Sequence, residues 1–294
     1  MLLDWGIQVV LWLQQFSPAL DLPFKVLTFL GDESFYLIFM PLLYWCIDRR
    51  TGSRLFFLLL FSAYLNAIAK VLADQPRPFA YDPQVQAIVP TAGGGMPSGH
   101  TQNAVVVWGF LAARSGKRIS WLVAALLMVG IPLSRVYLGV HFPTDLIGGY
   151  LLGGIILIAF LRSASRMEIW LAEKGFGWQL LISLLGPLIL ILLNPGGDKY
   201  VLSMASVLMG VCVGFALERR FVRFSCQGPW RKRVIRYLLG GVVLFGLWGG
   251  LKLAFSGMEP AALLRFIRYT LVGLWGGVGA PWVFVRLKLA DLED

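Results

Sequence analysis

The chain has 294 residues, 57% of them hydrophobic and only 14% charged, with a net charge of +10 and a mean hydropathy of +0.72. That charged share lies well under the ~25% usual for soluble domains, and apolar runs of about 18 or more residues recur along the whole length, so an ordinary soluble domain is excluded and an integral-membrane protein is indicated. The basic residues fall in short loops between apolar runs, which reads as topology signalling and contact with anionic lipid headgroups and not as nucleic-acid binding.

The first twenty residues contain no Lys or Arg and are interrupted by Asp4, Gln8, Gln14 and Gln15. They do not read as a cleaved signal peptide but as an interfacial amphipathic helix with Trp5 and Trp12 at headgroup level. After Pro18 and Pro23 a first span ends near Cys46, with Asp32 and Glu33 marking a turn before a short helix from about Phe35. A second span over Leu55 to Ala73 is stopped by Pro76 and Pro78. A long polar loop, Asp74 to Gly99, contains three consecutive glycines, Gly93 to Gly95. The third span starts near His100 and ends before Arg114, the fourth covers about Ile119 to Leu133, and the fifth about Thr144 to Leu161. Residues Arg162 to Phe176 read as an amphipathic connector. Four more spans follow, at Gly177–Leu193, Tyr200–Leu217, Tyr237–Phe255 and Leu263–Val285.

The expected fold is therefore all-α, a polytopic bundle of about nine transmembrane helices with an interfacial helix at the N-terminus. Residues 1–165 hold every chemically suggestive motif, and 166–294 form a four-span extension. Cys46, Cys212 and Cys226 are scattered and show neither a disulfide framework nor metal-ligand spacing. Most of the 26 Lys and Arg lie in alternate loops and in the tail after Val285. By the positive-inside tendency that side is cytoplasmic, with the C-terminus. The end of span two, the start of span three and the loop between spans four and five then share the opposite face.

Those three places carry chemistry. The chain has two histidines, His100 and His141. His100 closes the run Pro97–Ser98–Gly99–His100 at the start of a helix. There Ser98 can cap the helix, Gly99 allows close backbone approach, and free N–H groups with the helix dipole favour an anion. His141 and Asp145 are four apart with Pro143 opening a helix between them, so the carboxylate can hold the imidazole in one tautomer, as in a nucleophile–base–orienter arrangement. Lys70, Arg77 and Arg135 bring three cations beside both histidines. Any one alone would pass as a snorkelling interfacial residue. Together they suit the distributed charge of a phosphoryl group, which fixed cations and N–H donors stabilise in its transition state. The same cations would oppose a metal held by the two histidines and the aspartate, so no metal or other cofactor is expected. These residues by themselves leave open which histidine attacks, although the Asp145 pairing favours His141.

Read as patterns, Lys70 to Pro78 is K-x6-R-P, Pro97 to His100 is P-S-G-H, and Ser134 to Asp145 is S-R-x5-H-x3-D. In this order they resemble the three signature motifs of the type 2 phosphatidic acid phosphatase superfamily. It includes membrane lipid phosphatases, undecaprenyl-diphosphate phosphatases, glucose-6-phosphatase and soluble vanadium haloperoxidases. The resemblance covers about the first 165 residues, and the nine-span layout is similar to that of glucose-6-phosphatase. It implies a metal-independent phosphatase in which His141 forms a phosphohistidine, Asp145 orients it, and His100 protonates the leaving oxygen and then activates water. Lys70, Arg77, Ser98, Gly99 and Arg135 would hold the phosphate. The expected substrate is a lipid phosphate or isoprenoid diphosphate reached from the bilayer, in a cell inner membrane and on the non-cytoplasmic face. A soluble sugar phosphate is the alternative substrate, and a non-catalytic transporter or scaffold the alternative class. The sequence carries no sign of oligomeric state.

Overall fold

In the computed structural model, which describes residues 2–258 and 260–293, the chain is helical. Among the described residues the one extended pairing is an isolated antiparallel bridge between Phe224 and Leu292. The chain divides into two units, Met1–Tyr36 with Leu65–Ser163, and Leu37–Tyr64 with Ala164–Asp294.

In the first unit, α1 (Leu2–Gln14) buries Ile7 and Val10 against Val85, Val136 and Phe142 and leaves Trp5 and Trp12 exposed. This is the face pattern expected of a helix lying at a membrane surface. α2 (Asp21–Phe29) lies in this unit, and after a break α3 (Glu33–Leu42) begins in it and continues into the second unit beyond Tyr36. The break falls at Asp32 and Glu33, where Asp32 Oδ1 accepts a hydrogen bond from the Ser34 N–H at 2.8 Å and so satisfies a donor of α3's first turn. α4 (Arg49–Ala73) ends ahead of Pro76, and a single turn, α5 (Pro78–Tyr81), follows Arg77. α6 (Gly99–Ser115) begins with Ser98 as its N-cap and stops at Gly116, whose φ of 66° closes the helix. α7 spans Arg118–Tyr137 and α8 spans Pro143–Ala172. Gly149 and Gly153 on α8 lie against Thr101, Gln102 and Val105 of α6, where a Cβ would collide. Small residues at a helix crossing let the backbones approach, and here that contact brings the start of α8 beside the start of α6.

One expectation is corrected. Residues Arg162 to Phe176 are not a separate connector, because α8 continues unbroken through Arg162 and Arg166 to Ala172. No Pro or Gly interrupts this stretch before Gly175, which is the N-cap of α9 (Phe176–Leu192), and its Ala, Arg, Met, Glu and Leu residues favour helix.

The second unit is organised on Tyr44 and Trp45, which lie in a π-helical turn after α3. Both are buried, with Tyr44 Oη donating to the Gly277 carbonyl at 3.2 Å and Trp45 Nε1 to that of Gly276 at 3.0 Å. Phe224 and Phe284 pack around them. α10 (Lys199–Leu217) and α13 (Ala261–Leu274) cross through Gly210 and Gly273, and Gly214 lies against Gly277 in the turn after α13, with no room for a Cβ at any of them. α11 (Trp230–Phe245), α12 (Leu251–Ala254) and α14 (Ala280–Arg286) complete this unit. Arg49 pairs with Glu218 at 3.3 Å and with Glu293 at 2.6 Å, and Arg54 pairs with Glu168 at 2.6 Å.

Among the described residues five helical stretches are long and apolar enough to cross a membrane, or six if the bent α2–α3 pair is one span. The nine-span expectation goes beyond this number. α6 and α9 have 17 residues each, about 25 Å at 1.5 Å per residue against a hydrocarbon core of ~30 Å. α6 also opens with the polar run Gly99 to Asn103, and α13 to α14 is diluted by the Trp275–Gly279 turn, WGGVG.

Candidate active site

Every candidate catalytic or phosphate-binding residue lies in the first unit, at or beside the ends of α4, α5, α6, α7 and α8. The starting point is the turn between α7 and α8. Gly139 takes a φ of 75°, and a Cβ there would run into the Gln86 carbonyl. Only glycine fits this left-handed position without strain. The turn is stitched down on its far side, with the Ile88 N–H donating to the Leu138 carbonyl at 3.1 Å and Gln14 Nε2 donating to the carbonyls of Gln86 and Tyr137. It delivers His141, 2% exposed, directly ahead of Pro143, the first residue of α8.

Asp145 is the third residue of α8, and its side chain reaches back so that Oδ2 accepts from the Phe142 N–H at 2.9 Å. This is the reciprocal half of a capping box. The same oxygen lies 2.9 Å from His141 Nδ1, and Oδ1 accepts from Gln75 Nε2 at 2.6 Å. A carboxylate only accepts, so Nδ1 carries the proton and Nε2 is left with its lone pair. Nε2 faces Arg77 Nη1 at 3.3 Å. Burial, and then the charges of Lys70, Arg77 and Arg135, hold the His141 pKa well below the ordinary histidine value. The ring is therefore neutral at pH 7, the form that can attack an electrophile.

The cations are fixed by backbone. Gly93, with a φ of 77°, turns the loop after α5 so that its carbonyls converge. Arg77 Nε donates to Gly93 at 2.9 Å, Nη2 to Ala92 at 3.0 Å and Nη1 to Val140 at 2.8 Å. Lys70 Nζ donates to Gly94 at 2.8 Å and Gly95 at 3.1 Å. Arg135, near the end of α7, donates from Nη1 to Thr28 Oγ1 at 2.5 Å, while its buried Nε has no partner. Ser98 Oγ accepts from the Thr101 N–H at 3.4 Å, and the Ser98 N–H donates to the Asp145 carbonyl at 2.9 Å, which ties the start of α6 to the start of α8. Gly99 lies against the side chain of Asn66. The Nε2 atom of His100 is buried without a partner and its ring packs on Gly31.

Hydrogen bonds thus join Arg77, His141 and Asp145 side chain to side chain and Ser98 to Asp145 through the backbone. Lys70 is attached through the glycine loop. His100 and Arg135 make no hydrogen bond to the others among the described residues. Gln75, Thr28 and Asn66 were not singled out from the sequence. Gln75 is one of the six unspecified positions between Lys70 and Arg77, and Thr28 lies on α2, far away in the chain. Neither carries a signal in spacing. Asn66, one turn before Lys70 on α4, donates to the Pro97 carbonyl at 3.3 Å and to Gln102 at 2.8 Å. Its only sequence cue is a polar residue inside an apolar run.

The chain resembles known proteins in two stretches. The PAP2 superfamily profile matches residues 51–168, and that of the PAP2 superfamily phosphatase, transmembrane extension, matches residues 202–292. The chain is 29% identical over 187 residues to lipid phosphate phosphatase delta of Arabidopsis thaliana, covering 58% of this chain and 44% of that protein. It is 32% identical over 158 residues to phosphatidylglycerophosphatase B of Bacillus subtilis (strain 168), covering 49% of this chain and 74% of that protein. The crystal structure of a transmembrane PAP2-type phosphatidylglycerolphosphate phosphatase from Bacillus subtilis aligns with a TM-score of 0.48 at 23% identity, over 55% of this chain and 86% of that one. The chain spans less than half the length of several of the curated relatives it matches, the Arabidopsis protein among them.

Proposed function

The chain belongs to the PAP2 superfamily, and on that premise we propose that it is an integral-membrane, metal-independent phosphatase that hydrolyses a lipid phosphate monoester or an isoprenoid diphosphate. The observation that carries this reading is the buried Arg77–His141–Asp145 arrangement, in which a neutral imidazole offers Nε2 beside a guanidinium and is oriented from behind by a carboxylate. In the proposed reaction the Nε2 lone pair attacks phosphorus, and the bond from phosphorus to the leaving oxygen breaks. His100, whose protonated form the bound phosphate's negative charge favours, gives that oxygen a proton. The phosphohistidine is then attacked by water, whose proton returns to His100, and inorganic phosphate leaves. The buried, unpartnered Nε2 of His100 and Nε of Arg135 are donors that phosphate oxygens would satisfy. Lys70, Arg77, Ser98 and the Gly99 N–H complete the phosphate grip. The reading is metal-independent because the groups around His141 are cations, which oppose a bound metal.

The proposed layout is nine spans, with α6, α9 and the α13–α14 stretch added to the six above. Residues 1–165 form the phosphatase core and 166–294 a four-span extension, a division supported by the two separate profile matches. The distribution of Lys and Arg supports a cytoplasmic C-terminus and a site on the opposite face of a cell inner membrane.

The test is phosphate release by detergent-purified protein from phosphatidic acid, phosphatidylglycerol phosphate, undecaprenyl diphosphate and glucose 6-phosphate. Release from a lipid is expected. Release from glucose 6-phosphate alone would replace the lipid reading by a sugar phosphate one. Vanadate, a trigonal-bipyramidal mimic of the transferring phosphoryl group, should inhibit, and EDTA should not. The opposite pattern would indicate a metal hydrolase. Gln75→Leu removes one donor from the Asp145 carboxylate and leaves that oxygen buried. Hydrogen bonds to charged groups contribute about 1.5–3 kcal/mol, so kcat should fall by about ten- to a hundredfold with KM little changed. An unchanged kcat would mean that Gln75 does not position Asp145.

A further inference from the structure

The second unit holds a cavity of about 200 Å³ between α12 and the first turns of α13, lined by Lys252, Ser256, Arg265 and Arg268 with Phe255 and Leu264 beside them. Arg268 is 9% exposed, its Nε is buried without a partner, and its guanidinium lies over the Tyr269 ring at 4.5 Å. It sits seven residues into α13, about 10 Å along the axis from its start. Among the described residues none of the three cations is paired with a carboxylate. An ionised side chain inside a membrane segment is costly, and where it persists it marks a ligand or an ion path. α13 begins beside the cavity, and the positive end of its dipole lies on this side.

We propose that this cavity is a second anion site, which binds the phosphate group of a lipid headgroup independently of the motif residues. The volume is below the ~300 Å³ at which pockets for drug-sized ligands begin and suits a headgroup. Three cations and the Ser256 hydroxyl supply the donors. Arg268 is the buried cation of the three, while Arg265 is half-buried and Lys252 exposed, and a guanidinium can hold two phosphate oxygens at once. The cavity is flanked by exposed Leu253, Met258 and Leu263, which suits acyl chains lying beside the headgroup. The inference does not depend on the catalytic reading, since none of these residues takes part in it.

The probe is phosphatidic acid, with phosphatidylcholine as the zwitterionic control. It is added to full-length protein in non-ionic detergent, and retained lipid is counted by native mass spectrometry. All proteins carry His141→Ala so that the lipid is not consumed. The expected result is selective retention of phosphatidic acid, with one bound molecule fewer in Arg268→Gln and a loss of affinity at that site of about tenfold or more, as for a charged hydrogen bond. The double variant Lys252→Gln/Arg265→Gln alters the two less buried cations only. It should lose several-fold, and it decides the matter if Arg268→Gln does not fold. Introduced without His141→Ala, the double variant should keep its turnover of p-nitrophenyl phosphate. Inorganic phosphate displacing the lipid would show that the phosphate group is what is recognised, and retention in its presence would assign the site to the intact lipid. Equal retention by the parent and the double variant, or equal retention of both lipids, would overturn the proposal.

Discussion

His141→Ala should reduce phosphate release by roughly a millionfold, the scale seen when a nucleophile is removed from a catalytic unit that works as a whole, while the protein remains folded. The second half of that expectation follows from the surroundings of the ring. Asp145 would keep its hydrogen bonds from the Phe142 N–H and Gln75 Nε2, and Arg77 would keep the three backbone carbonyls that hold it. The lost contacts cost about 1–3 kcal/mol, which a helical protein of this size tolerates. The measurements are phosphate release and the thermal midpoint in detergent. Undiminished release from a folded variant would move the nucleophile to another residue, with His100 the first to examine. His100→Ala gives an internal check, because the proposed role of His100 is to protonate the leaving oxygen. Its defect should be large for an alkyl phosphate and much smaller for p-nitrophenyl phosphate, whose leaving group needs no proton. Equal defects on both would remove the acid role.

Much of this site is readable from spacing, because spacing is enough where the chain is local. His141 and Asp145 are four residues apart across a helix-opening proline, and they are joined at 2.9 Å. Ser98 caps the helix that follows it, and the turn at Asp32 and Glu33 falls where two acidic residues interrupt an apolar run. What spacing misses comes from elements distant in the chain. Thr28 meets Arg135 only because α2 packs on α7. Gln75 meets Asp145 across 70 positions of the chain, with its carbonyl held by the Gly95 N–H at 2.8 Å. The pattern locates Lys70 and Arg77 as cations but does not show that backbone carbonyls aim them. Hydropathy also stops one helix short. It divides α8 at the charged pair Arg162 and Arg166, although both residues favour helix and nothing breaks it before Gly175. Charge and apolarity report the medium around a segment, whereas the length of a helix depends on its caps.

Asp145→Asn should lower kcat by about ten-thousandfold, the scale observed when the orienting aspartate of a catalytic triad is made an amide. The carboxylate of Asp145 is fully buried and has three donors, Phe142 N–H, His141 Nδ1 and Gln75 Nε2. An amide has one acceptor oxygen, and its NH2 group must face one of these donors. If the oxygen stays on the Phe142 N–H, the Oδ1 position becomes an NH2 group opposed to the amide of Gln75. If the side chain flips, the NH2 group confronts Phe142 N–H and His141 Nδ1. The ring then relieves the clash by moving its proton to Nε2, the nitrogen that has to attack. Both arrangements also remove the negative charge that stabilises the positive ring as phosphorus–nitrogen bonding develops. The defect should therefore lie in kcat with KM nearly unchanged, since Asp145 faces the ring and not the phosphate. Gln75→Leu introduced with Asp145→Asn should cost less than it does alone, because the amide clash that Gln75 imposes is gone. Additive losses from the two substitutions would mean that Gln75 acts on something other than the Asp145 carboxylate.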